Sequence, residues 1–444
     1  GTHNKPWLIT SAQELVAVAL GPAAWCSLEC GIVLASIDWG AAIVPLFAGR
    51  FDGDSHTVRY LNVQGTGLLG LFGSLDTGAV IVNLDLEGGS IHGTDHYLGA
   101  LAGRNDGILM GCHSSVAVSG EDRAVGGLVG WNGRGSISDS RSTGAVMGNL
   151  WIGGFVGFNA GFVSDCSSDA TVNGDDSAGG LVGYNEGTVF RCSSSGPITG
   201  GTRIGGLVGA NSGDVSSSRS AGATTGHNKE VGGLVGDNAD GSVRNCYSSG
   251  TVGGSGAVGG LVGNNNYGSV QYCYSSGAVT GDYALGGLIG DGDTGRAERS
   301  LWDTQSSGIA HSAGGAGLTT AEMMDPEWVS LQGWTGNPNW VVNPHQDYPR
   351  LAWEEALGQP IPEPIIDWIT GEGTSESPYQ VEDVSQLLMV TKANLLWEKA
   401  LVLTNDLDLG QTVWHQAVIP GFSGILDGHG HTIRNLTISG DSLL

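Results

Sequence analysis

Basic residues are scarce: 18 Lys and Arg stand against 44 Asp and Glu in 444 residues, a net charge of −26. A surface of that sign repels nucleic acid and anionic lipid, so neither is an expected partner. Long apolar runs are also missing, and no stretch reaches the ~18 consecutive apolar residues of a membrane-spanning helix. Cysteine is sparse and odd in number, seven in all, which is no disulfide framework. The sequence has no phosphate-cradling loop ending in Lys, no zinc-ligand spacing and no Ser-His-Asp set, so neither a cofactor nor catalysis is expected. It opens at Gly1 with no charged segment leading into an apolar one, as in a processed chain or a piece of a longer one.

Glycine, by contrast, is abundant, at 78 residues without collagen's strict spacing, which points to many tight turns in a β-rich chain. Its arrangement is periodic. GGLVGWN starts at Gly126, GGFVGFN at Gly153, GGLVGYN at Gly179 and GGLVGAN at Gly205. GGLVGDN follows from Gly232, GGLVGNN from Gly259 and the weaker GGLIGDG from Gly286, with a forerunner, GALAGRN, at Gly99. A period of 26 or 27 residues predicts a solenoid in which no coil buries its apolar face alone.

Two rows recur within the coil. Asn105, Asn132, Asn159, Asn185, Asn211, Asn238 and Asn265 close each Gly-rich strand. Asn suits the left-handed conformation of a tight corner, and stacking once per coil predicts an amide ladder, with ligand binding as the competing reading. The second strand is led by Cys112, Ser140, Cys166, Cys192, Ser218, Cys246, Cys273 and Ser300, near-isosteric residues that suit a narrow interior site. The Ser found two places after each lead position is expected to share that row direction and to hydrogen-bond along the stack. Parallel in-register side chains point alike, so Cys166 with Cys192 and Cys246 with Cys273 are expected as free thiols, and Cys26 and Cys30 as structural.

The flanks divide the chain further. Residues 1–65 read as an opening coil whose Ser11 and Glu14 cap a short helix, and 66–300 as the solenoid. Residues 301–357 form a closing segment with Trp302, Trp328, Trp334, Trp340 and Trp353, read as a buried seal with sugar stacking as the alternative. Residues 358–372 are a Pro-rich linker of the stiff kind. From Gly373 the opening returns: GTSESPYQVEDVSQLL matches GTHNKPWLITSAQELV at an offset of 372, LTNDLDLG answers LASIDWG, and FSGILDGHGHTIRNLTI answers FAGRFDGDSHTVRYLNV. Residues 373–444 are thus expected to be the opening segment of a second, truncated unit.

The GGLVGxN coils, the DGHGHTIRNLTI opening and the LWDTQSSG, GLTTAEMMDP and DYPRLAW closing runs resemble the GLUG-motif repeat family of bacterial surface and secreted proteins. That resemblance implies an all-β, right-handed parallel β-helix with an extracellular or cell-surface address.

Parallel β-helices also host polysaccharide-active enzymes, which need two carboxylates about 5–9.5 Å apart. Asp139, Asp165, Glu186 and Asp237 fall at turn positions with no evident stacked basic partner, and DGDSH at 52–56 and DGHGH at 427–431 read as turns. A solvent-facing Thr row for ice or glycan is incomplete: Thr171, Thr199, Thr225 and Thr280 alternate with Ser119, Met147 and Gly253. The expectation is therefore a structural rod or filament, partnered by further copies of its own unit. A glycan- or cell-binding adhesin is the alternative, and an enzyme a distant third.

Overall fold

Successive copies of the repeat pair in register. Val129, Val156, Val182, Val208, Val235, Val262 and Ile289 are consecutive partners along one parallel sheet. Ile137, Val163, Val189, Val215, Val243 and Val270 are consecutive partners along another. The computed structural model describes residues 1–438 except 36, 293–294, 355–357, 411–412, 415–416 and 420. It is a parallel β-solenoid. Ten strands from Val44–Phe47 to Ile289–Asp291 form the first sheet and twelve from Trp7–Ile9 to Arg296–Glu298 the second. A third ladder starts at Ile32–Val33 and Thr57–Gly65, takes in long strands such as Val172–Gly179, and ends at Leu301–Asp303 and Ala316–Leu318. At about 4.8 Å per coil, the twelve-stranded sheet makes a rod about 50 Å long.

One continuous apolar cluster fills the tube from Ile9 to Trp302. Leu128, Phe155, Leu181, Leu207, Leu234, Leu261 and Leu288, the third residue of each motif, are fully buried in it. Each such side chain contributes about 1.5–3 kcal/mol through the apolar surface it removes from water. The three motif glycines are there for close approach. A Cβ on Gly153 would lie 1.9 Å from the Val156 carbonyl oxygen, and one on Gly154 would lie 2.2 Å from that of Gly180. On Gly157 it would lie 2.5 Å from the carbonyl carbon of Ala124.

The left-handed corners lie elsewhere than expected. None of the seven ladder Asn has a positive φ. That conformation belongs to the residue two before each GG, as in Ala124, Trp151, Ser177, Arg203 and Glu230. It belongs also to the residue before each Cys/Ser lead position, as in Asp139, Asp165, Arg191, Ser217 and Asn245. Asp139, Asp165 and Asn245 suit it, whereas Trp151, Arg203 and Glu230 have little intrinsic preference for it and are held there by the inter-coil hydrogen bonds on either side. The Thr row is corrected too: Thr199, Thr225 and Thr280 share a register line with Met147, Asn173 and Gly253, and Thr171 falls two residues out of it.

At the amino-terminal end Ser11 caps the helix Ala12–Ala17, and Thr10 N–H donates to the Glu14 carboxylate at 2.8 Å. Leu15 and Val18 plug the first coil. At the other end the closing segment does more than seal the last coil, because it runs back along the side of the solenoid. Trp353 Nε1 donates to Ser217 O at 2.7 Å, Asn337 Nδ2 to Asn245 Oδ1 at 2.8 Å, and Tyr274 Oη to Pro349 O at 2.9 Å. Trp302, Trp334 and Trp340 are fully buried, with Trp334 and Trp340 in a second apolar cluster beneath this strap.

The 358–372 stretch is pinned as well as extended: Val342 pairs with Gln359 and Thr370 with Gln380, and Ile361 and Ile369 are buried. Beyond it the opening architecture recurs, with a strand Tyr379–Val381, a helix Val384–Lys392 capped by Asp383, and a strand Ala400–Leu403. The offset of 372 holds from Trp7–Ile9 to Tyr379–Val381, then becomes 375 from Ile32–Val33 to Leu407–Asp408. The three extra residues come after the helix: helical residues 12–20 match 384–392, and a further turn, Asn394–Leu396, precedes the second copy's strand Ala400–Leu403. LTNDLDLG therefore answers LECGIVLA at residues 28–35, and not LASIDWG.

Candidate functional site

The Asn row is an unbroken chain of amides. Asn105 Nδ2 donates to Asn132 Oδ1 at 2.9 Å, Asn132 to Asn159 at 2.7 Å and Asn159 to Asn185 at 2.8 Å. Asn185 donates to Asn211 and Asn211 to Asn238, both at 2.8 Å, and Asn238 donates to Asn265 at 2.7 Å. All seven are buried, and their amides also bond turn backbone, as where Asn105 Oδ1 accepts from Gly107 N–H. The run stops where Gly292 replaces the next Asn. With its polar atoms engaged and no face toward solvent, the ladder offers nothing to a ligand.

The Cys/Ser row is more than space-filling. The left-handed residue before each lead position turns the lead N–H along the rod, where the next coil's side chain accepts it. Cys112 N–H donates to Ser140 Oγ at 3.0 Å, Cys192 N–H to Ser218 Oγ at 3.0 Å and Cys246 N–H to Cys273 Sγ at 3.3 Å. The same side chain donates to a carbonyl two residues back, as Ser140 does to Ser138 at 2.7 Å and Cys166 to Ser164 at 3.1 Å. A small group that both accepts and donates is required, and only Ser and Cys fit. Cys26, Cys112, Cys166, Cys192, Cys246 and Cys273 are buried free thiols; burial pushes Cys26 up to about 11 and Cys112 up to about 12. Cys30 departs from its expected structural place and is exposed. Of the seven Ser two places on, three donate across the tube, Ser114 and Ser168 accept a local backbone N–H, and Ser220 and Ser248 have no partner among the described residues. Ser142, Ser194 and Ser275 donate to the carbonyls of Gly154, Gly206 and Gly287 at 2.6, 2.5 and 2.6 Å. Only Ser142 reaches its neighbour Ser168, at 3.3 Å.

The outer surface carries features that composition alone did not bring out. Acidic side chains do stack with basic ones. Arg191 meets Asp165 at 2.8 Å and Arg244 meets Asp214 at 2.9 Å, each across a coil-to-coil step, and Arg203 forks onto Asp176. Carboxylates neutralised this way do not form a facing acid pair. Asp237 is held above the usual carboxylate range by burial and by Glu230 beside it. Trp131, Phe158 and Tyr184, at the variable position of GGLVGxN, stack with centroids 4.1 and 5.5 Å apart and planes within 14° and 6°. Phe158 is covered on both faces, so a sugar ring would find only its edge. At the head of this ladder His96 lies between Asp95, its ion-pair partner, and Asp122, 3.8 Å away. DGDSH and DGHGH form turns: Asp52 Oδ1 accepts from Asp54 N–H at 3.0 Å and Asp427 Oδ1 from His429 N–H at 2.8 Å.

Where the second opening segment meets the first unit, the contact is dense. Gln332 donates through Nε2 to Lys392 O at 2.6 Å and accepts Asn394 N–H at 3.3 Å, while Lys392 Nζ pairs with Glu322 at 2.9 Å. Leu331 packs among Val381, Leu387, Val390 and Leu396. Between this junction and the last coil lies a cleft of about 230 Å³, lined by Arg296, Glu298 and Arg299 on one side and Asn394, Trp397 and Glu398 on the other. Among the described residues no helix is long and apolar enough to cross a membrane.

Known proteins bear on these repeats. Halomucin of Haloquadratum walsbyi is 40% identical over 86 residues, 19% of this chain and 1% of halomucin. A Bacteroides ovatus protein solved as a candidate immunoglobulin A1 protease aligns over 80% of this chain and 94% of its own at 18% identity. Its TM-score is 0.37, too low to carry an argument. The GLUG motif matches residues 122–147, 227–253 and 254–280, three of the coils built above. Those three coils of this chain are GLUG-motif repeats.

Proposed function

We propose that the chain is a structural segment of a long extracellular or cell-surface tandem-repeat protein, working as a stiff rod with no catalytic role. The carrying observation is the junction: Gln332 and Glu322 of the closing segment grip Lys392 and Asn394 of the next opening segment. Coil-to-coil ladders supply rigidity within a unit, and the gripped junction passes it to the next. The partner of each unit is thus another unit of the same kind, placed head to tail. The surface suits a secreted address: net charge −26 repels other copies sideways.

Electron microscopy and small-angle scattering test this reading on the chain extended by one more 372-residue unit. A rod whose length grows in proportion, with a narrow distribution of bend angles at the junction, is the expected result. Freely jointed units would sink it.

A further inference from the structure

Asp165, Asp176 and Asp214 each meet an Arg across a coil-to-coil step. Asp95 and Asp122 do not. Among the described residues, the one basic side chain within ion-pair reach of either carboxylate is His96. Arg123, next along the chain, is turned onto the Trp151 ring, 5.6 Å from its centroid. Two carboxylates thus flank one imidazole, and no Arg or Lys neutralises them.

The three side chains converge from two coils. Asp95 and His96 follow the strand Asp85–Gly93, and Asp122 precedes the strand Arg123–Gly126 of the next coil. No local spacing in the sequence announces the set for that reason. One donor atom from each residue lies within 4.8 Å of the other two. Nδ1 of His96 faces both carboxylates: it pairs with Asp95 and lies 3.8 Å from Asp122 Oδ2. Ring packing fixes where that nitrogen points. His96 meets Tyr97 edge-to-face with centroids 4.4 Å apart, and Tyr97 meets Trp131 in the same way at 4.8 Å. The Tyr97 N–H donates to Arg123 O at 3.1 Å, which ties this turn to the strand that carries Asp122. Asp95 is positioned as well, because its Oδ1 accepts the His96 N–H at 2.9 Å. All three side chains are half-buried or exposed, so an ion can reach them and water can complete its shell.

The donor set selects the ion. Calcium and magnesium take oxygen ligands and gain nothing from an imidazole nitrogen. Zinc takes imidazole and carboxylate together, at about 2.0–2.2 Å. Ligand atoms at those lengths sit about 3.3 Å apart in a tetrahedron, so the 3.8 Å step closes with a small side-chain rotation. We propose that Asp95, His96 and Asp122 form a three-ligand site for one divalent first-row transition metal, zinc by preference, which staples two adjacent coils. The site goes beyond the rod reading and stands apart from it, since ion binding at one corner does not depend on how units are joined.

Calorimetry on the metal-stripped full chain, titrated with zinc chloride and separately with calcium chloride, tests the site. One zinc should bind with a Kd on the order of micromolar, and calcium at least about tenfold more weakly. His96→Gln and Asp122→Asn should each weaken zinc binding at least about tenfold. Asp122 is exposed, so Asp122→Asn keeps the test decisive should His96→Gln disturb the packing on Tyr97. His113→Gln removes an imidazole paired with the single carboxylate of Asp85 at 2.8 Å and should leave binding unchanged. Zinc should raise the melting temperature of the wild type and of His113→Gln, and of neither other variant. The proposal is overturned if no saturable zinc binding appears, which would leave His96 as a plain ion-pair bridge. It is overturned equally if a folded His96→Gln or Asp122→Asn binds as wild type, if calcium binds as tightly as zinc, or if His113→Gln weakens binding as much as His96→Gln.

Discussion

The hydroxyl of Ser142 donates to the carbonyl of Gly154 at 2.6 Å, across the interior of the solenoid. The bond explains a pair of letters in the repeat. It brings the Ser row so close to the second glycine of each motif that a Cβ has no room: on Gly206 it would lie 2.0 Å from Gly233 O and 2.3 Å from Ser220 Oγ. Gly206→Ala should therefore cost about 3 kcal/mol or more, since the Gly233 carbonyl is backbone held by inter-coil pairing. Gly40→Ala, with nothing within 4 Å of the added carbon, should stay within about 0.5 kcal/mol. Denaturation midpoints of the two variants make the comparison.

Asn185 stands in the middle of the amide ladder, accepting from Asn159 and donating to Asn211. Asn185→Ala leaves one donor and one acceptor short of a partner, at about 1–3 kcal/mol each. Asn264, half-buried and bonded to Asp237, should tolerate Ala far better. Equal loss of melting temperature at the two positions would contradict the special status of the ladder.

Thiol reactivity offers a third check. Six cysteines are buried, and burial pushes Cys112 up to about 12, so a thiolate is scarcely available at neutral pH. An aromatic disulfide reagent should titrate one thiol in the folded chain, Cys30, and seven after denaturation. Cys192→Ser should be mild and Cys192→Val severe, because only Ser keeps a donor for Phe190 O.

Asp303 ties the strap to the last strands. Burial raises its carboxyl pKa, but bonds from Thr320, Tyr348, Ser306 and Gln305 outweigh this and hold it below the usual range. A carboxylate depressed in the folded state stabilises above its unfolded value of about 3.9, and that contribution is lost as pH falls through the folded value. Asp303→Asn should thus lower the melting temperature at pH 7, and the deficit should shrink below about pH 4. A deficit independent of pH would show that the charge plays no part.

The reversed place of the left-handed corners shows what letters alone leave open. Asn suggested them by propensity, yet Trp151, Arg203 and Glu230 occupy them, because hydrogen bonds from two neighbouring coils outweigh local preference. The strap along the side was visible in hindsight. The residue after each lead position is His113, Arg141, Ser167 and Ser193 in the early coils, then Arg219, Tyr247, Tyr274 and Leu301 under the closing segment. The coil-to-coil ion pairs were visible as well, as opposite charges 26 or more residues apart.

Periodicity by itself determined the coil, its length, its stacked interior and the return of the opening segment near residue 373, because a one-dimensional repeat puts equivalent residues in contact by symmetry. Only the tertiary structure decided what is not periodic: the lateral path of the closing segment and the cleft where it meets the second opening segment. Those depend on packing between segments that share no repeat, so no spacing in the sequence encodes them.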